Sequence, residues 1–169
     1  MMKLLGAVMI LLSAGGVGFS VVSSYRHQER MLQQLIRALE YMECELQYRL
    51  TPLPTLCIGA SQACTGCVKN VLQRLGQEME AQITPNAASC MHAVISNHEN
   101  IPDRLKKCLD QLGDSLGRFD LTGQLQGLKS VKQHAIFELE KLRQNQDVRL
   151  RSYQTLGFCA GAALVVLFL

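Results

Sequence analysis

Apolar residues recur between Arg26 and Leu50 at Met31, Leu35, Leu39, Met42 and Leu46, with Leu32, Ile36 and Tyr48 widening the stripe. Steps of three and four are the period of one helix face and not of a strand. The intervening Arg30, Gln33, Gln34, Arg37, Glu40, Glu43, Glu45, Gln47 and Arg49 make a mostly wet face. Pro52 disfavours helical geometry at the residue before it. Thr51-Pro52 therefore reads as N-cap and first-turn proline of a second helix, near Leu53 to Gln62, weakened by Gly59. Thr65-Gly66 marks a break before a third helix, Cys67 to Ala81, with Val68, Val71, Leu72, Leu75 and Met79 on one face. Thr84-Pro85 reads as the start of a short fourth helix carrying Cys90, Met91, Val94 and Ile95. A fifth begins near Pro102 with Leu105, Leu109, Leu112 and Leu116 in register, and Gly117 suits its end. Asp120 caps a sixth, with Leu121, Leu125, Leu128, Ala135, Leu139 and Leu142 as its apolar positions. No stretch alternates like a strand. The pattern predicts an all-α, six-helix bundle.

The two ends break the amphipathic pattern. Leu4 to Tyr25 carries no charge and as a helix would be about 33 Å long, enough for a hydrocarbon core of roughly 30 Å. Ser152 to Leu169 is also uncharged and would reach about 27 Å. The expected division is therefore an N-terminal transmembrane helix over 1–25, a bundle over 26–151 and a C-terminal transmembrane helix over 152–169. Arg26, Arg30 and Arg37 follow the first span, and Arg143, Arg149 and Arg151 precede the second; only Lys3 lies beyond. The positive-inside bias places the bundle in the cytosol. The rival reading of the first span is a cleaved secretory signal, with Lys3, an apolar run and small residues over 13–18. Gly157 and Gly161 have the small-x-x-x-small spacing that lets membrane helices approach closely.

Composition narrows function by exclusion. A formal net charge of +3, no basic run and no tryptophan argue against nucleic acid. Seven cysteines cannot all pair in a closed disulfide framework, which favours a reducing compartment. Cys64-Thr65-Gly66-Cys67 has redox or zinc spacing, but no second C-x-x-C completes a zinc set. A membrane-tethered thiol-disulfide oxidoreductase using Cys64 and Cys67 is the alternative to a binding protein. His27, His92, His98 and His134 show no paired ligand spacing, and no phosphate loop or nucleophile elbow is present. Glu43 and Glu45 are two apart on a helix, a poor acid–base pair. Glu43 borders Leu39 and Leu46 on the apolar side, where it either snorkels to solvent or pairs with an arginine of another helix or of a partner. The residues thus give no enzyme, cofactor or metal site.

Two segments carry a family resemblance. Met42-Glu43-Cys44-Glu45-Leu46-Gln47-Tyr48-Arg49-Leu50-Thr51-Pro52-Leu53 resembles the L-E-x-E-I-x-Y-x-x-T-P-L signature of the stage III sporulation protein AB family. Leu112-Gly113-x-x-Leu116-Gly117-x-x-Asp120-x-x-Gly123-Gln124 resembles its second signature, L-G-x-x-L-G-x-x-D-x-x-G-Q. Both ends are similar too, in Lys3-Leu4-Leu5-Gly6-Ala7 and in Leu156-Gly157-Phe158 with Ala160-Gly161. Leu56 to Ala81 departs, being rich in cysteine and glycine where the family carries charged helix.

The resemblance implies a soluble part similar to the cytoplasmic domains of the type II secretion inner-membrane platform protein. It implies a non-enzymatic component of the secretion-like channel between mother cell and forespore, required for sporulation. Its partners would be the secretion-type ATPase of that set, stage III sporulation protein AA, other channel proteins and the bilayer, with a homo-oligomer as a further option. The expected location is the mother-cell membrane facing the forespore. Glu43, Glu45, Tyr48 and Gln124 are the matched positions expected to contact partners.

Overall fold

The structure, a computed structural model, describes the backbone of residues 2–81, 86–98, 101–117 and 120–168, and the side chains of 23–81, 86–98, 101–117 and 120–145. Among these it is all-helical: α1 (Met2–Tyr48), α2 (Leu53–Gln62), α3 (Gly66–Glu80), α4 (Ala87–Ser96), α5 (Asp103–Ser115) and α6 (Leu121–Phe168). Contacts divide the chain into two compact units, Arg30–Leu139 and Met1–Glu29 with Glu140–Leu169.

The core of Arg30–Leu139 is the one the periodicity defines. Met31, Leu35, Leu39, Met42 and Leu46 of α1 are all buried, as are Val68, Val71, Leu72 and Leu75 of α3 and Leu105, Leu109 and Leu112 of α5. Leu116, just past α5, is buried as well, and Gly117 takes a left-handed φ of +77° that turns the chain out of the helix. Within this unit α2 packs on α3, α3 on α4 and α4 on α5. Close approach is allowed where side chains are missing. A Cβ on Gly76 would stand 2.6 Å from Ile58 Cγ1 and 2.9 Å from the Pro54 carbonyl, so α3 sits directly on the α2 backbone.

Several helix starts differ from expectation. Thr51 does not cap α2: Pro52 occupies the cap position without a side-chain bond, and Pro54 falls in the first turn, where a missing N–H costs nothing. Thr51 lies one residue too early to reach the α2 amides, and its hydroxyl donates to Glu45 Oε2 at 3.0 Å instead. For α4 the N-cap is Asn86, whose Oδ1 accepts from the Ser89 N–H at 2.8 Å. Thr84 and Pro85, expected to open it, lie outside the described residues. Asp120 does cap α6, accepting from the Gly123 N–H at 3.0 Å. Leu121 and Leu125 of α6 are not in the core, whereas Val131 is.

In the second unit, Arg143 Nε donates to Glu29 Oε1 at 2.8 Å. Among the described residues no helix is long and apolar enough to cross a membrane. The spans expected over 4–25 and 152–169, with Gly157 and Gly161, fall almost wholly on stretches whose side chains lie outside the described residues.

Candidate functional site

The last turns of α1 carry three of the four expected contact residues, and they face different ways. Residues two apart on a helix diverge by over half a turn. Glu43 turns toward α6, where Lys132 Nζ donates to its Oε2 at 2.5 Å, both side chains largely covered. Its other oxygen, Oε1, is buried with no hydrogen-bond partner among the described residues. Glu45 turns to the α1–α2 corner, where it accepts from Thr51 and lies 3.6 Å from Arg49 Nη1. Both carboxylates are thus engaged within the chain. Tyr48, in contrast, is 77 % exposed, and Leu50 beside it is 66 % exposed with a left-handed φ of +53°. That conformation costs a residue with a Cβ roughly 1–2 kcal/mol. Gln124 stands apart in the first turn of α6, half-buried, its N–H donating to the Asp120 carbonyl.

The two signature segments nevertheless meet. The Cβ position of Gly117, in the second, is 3.4 Å from Leu53 Cδ1, the last residue of the first. The α1–α2 corner and the α5–α6 turn therefore share one end of the Arg30–Leu139 unit, with Tyr48, Leu50 and Leu121 as its exposed apolar side chains.

Sequence reasoning had no means of finding the other polar links. Arg104 of α5 pairs with Glu138 of α6 at 2.5 Å. Gln111 Oε1 lies 2.7 Å from His134 Nδ1, and Cys108 Sγ lies 3.9 Å from the same nitrogen. Spacing along a helix shows which residues share a face, not which distant residue arrives opposite.

The Cys64–Cys67 pair is built into the packing. Cys64 Sγ donates to the Gln34 carbonyl at 3.2 Å, and the Gln34 side-chain oxygen accepts from the Thr65 N–H at 3.2 Å. Burial pushes both thiols up; for Cys64 it outweighs the opposing pull of Arg37. A redox-active thiol uses the reverse shift. None of the six described cysteines is in a disulfide, and among the described residues no three metal-binding side chains converge.

Fold and site together define a class: a protein all-helical among its described residues, whose ionic side chains tie its own helices together and which leaves an apolar corner exposed. The family is narrower. The model of stage III sporulation protein AB matches residues 3–169, and the chain belongs to that family. A curated relative, stage III sporulation protein AB of Bacillus subtilis (strain 168), is 29 % identical over 175 residues, covering all of both chains. A solved structure of a stage III sporulation protein AB superposes with a TM-score of 0.62 at 20 % identity, covering 72 % of this chain and 98 % of that one, and so shares its fold.

Proposed function

We propose that the chain is a non-enzymatic membrane platform of the secretion-like channel between mother cell and forespore, docking the secretion-type ATPase. The observation that carries this reading is the family match running from residue 3 to residue 169, with both signatures in order. Membrane anchoring is supported by the charge-free runs at Leu4 to Tyr25 and Ser152 to Leu169, each long enough to span as a helix. Docking is supported by the corner formed by Tyr48 and Leu50, since a strained, exposed apolar pair gains most when covered by another protein. Glu43 and Glu45 support the corner from within: each is tied to a neighbour in its own chain, so their part is to hold the last turns of α1 in place.

The test is co-purification. The full chain, extracted in detergent, is expected to retain stage III sporulation protein AA, and Tyr48→Ala is expected to weaken that retention severalfold. Absence of retention by the unaltered chain, together with no change in ATP hydrolysis, would overturn docking. Release of the chain from membranes by alkaline carbonate would overturn anchoring.

A further inference from the structure

A second surface lies away from that corner. Asn70, Gln73, Arg74 and Gln77 recur at the i, i+3, i+4 and i+7 positions of α3, opposite the buried Val68, Val71, Leu72 and Leu75. With His98, which follows α4, they line a cleft of about 260 Å³. No acid lines it. Arg74 makes no ion pair or hydrogen bond among the described residues. His98 Nε2 is buried with no hydrogen-bond partner among the described residues, although buried ring nitrogens are ordinarily satisfied.

We propose that this cleft is a carboxylate-binding notch that takes an acidic side chain of a protein partner. The chemistry follows from the lining. Arg74 presents a planar fork that matches the two oxygens of one carboxylate. The His98 side of the cleft closes around that fork. Asn70, Gln73 and Gln77 offer paired amide donors and acceptors, which suit the peptide groups on either side of such a residue. A phosphate is a poorer match, because phosphate sites gather several cations or a fan of backbone N–H groups. A whole small-molecule ligand is poorer too: the volume lies below the roughly 300–1,000 Å³ of such pockets, and the stripe on α3 is exposed. One side chain entering from a neighbouring protein fits both size and access. That the occupant belongs to a protein rests on the reading of the chain as an assembly component; the affinity for carboxylate does not.

The test uses nitrogen-15-labelled full chain in detergent micelles, following the Arg74 Nε–H and His98 ring signals. Doubly capped glutamate is expected to shift both, saturably. Doubly capped glutamine, inorganic phosphate and acetate serve as comparisons. R74Q is expected to abolish the response, and K69Q, one turn earlier on α3, to keep it. An equal response to glutamine, a tighter response to phosphate, or survival of the response in R74Q overturns the proposal, as does no saturable shift at all. Acetate matching capped glutamate would assign the notch to free carboxylates and overturn the protein source. Loss of ATPase retention with the glutamate response intact would sink the platform reading and leave the notch standing; the converse would remove the notch alone.

Discussion

At the scale of single residues, the decisive positions are those where an atom is missing or a proton is held. Gly76 is the first kind. Its absent side chain lets α3 lie on the Pro54 carbonyl and on Ile58, and a backbone oxygen 2.9 Å away cannot swing aside. Gly76→Ala is expected to destabilise by about 1–3 kcal/mol, the range for forcing a methyl into a packed contact; urea unfolding of the full chain in detergent measures it. Cys57 and Cys108 are the second kind. Burial pushes Cys57 up to about 12 and, helped by Glu138, Cys108 up to about 11, from 9.0. At pH values below 9.0 the folded and unfolded chains both keep these protons, and stability is intact. Above 9.0 the unfolded chain releases protons that the fold retains, so stability falls by about 1.4 kcal/mol per pH unit per thiol. The loss ends near each raised pKa. Unfolding midpoints are expected to drop between about pH 8 and about pH 10.5, and to drop less steeply in Cys57→Ala. The sequence foretold burial of most of the leucines, because period is local information. It did not foretell that Gly76 is a contact, since that depends on what α2 brings across.

At the scale of helices, all six elements were legible, and α2 was legible to its end residues, because prolines, glycines and apolar steps act within a turn. The caps were less so. Thr51 and Thr84 were the expected caps whereas Pro52 and Asn86 hold the cap positions, and a residue or two of offset decides whether a side chain reaches an orphan N–H. Ion pairs between helices were the least legible. Glu43 invited an arginine from another helix, but the fold brings it a lysine, Lys132, 89 residues further along the chain. Both members are less than a quarter exposed, so removing one strands the other in a poorly hydrated setting. Glu43→Gln and Lys132→Met are each expected to destabilise by about 1–3 kcal/mol, and the double variant by less than their sum. A double-mutant cycle on thermal midpoints reads the difference; strict additivity would mean that the pair contributes nothing.

At the scale of the whole chain, the burial of thiols is uneven and easily read. Cys44 is exposed, whereas Cys57, Cys64, Cys90 and Cys108 are buried and in no disulfide. A maleimide pulse on native protein is expected to label Cys44 within the pulse and to leave Cys57 and Cys108 unlabelled until denaturant is added; early labelling of either would show that the Arg30–Leu139 core opens locally. The family was legible at this scale because its two signatures fix a corner and a turn that come together in space. The α3 cleft was not, because its stripe of amides and one arginine reads along the chain as an ordinary wet face.

The buried thiols have a use for the experimenter. Sulfhydryls that protonation and packing keep inert become reactive once the chain loses its shape. Alkylation followed by mass spectrometry, applied to living sporulating cells without any added tag, would therefore count how many copies are folded at each hour of spore formation.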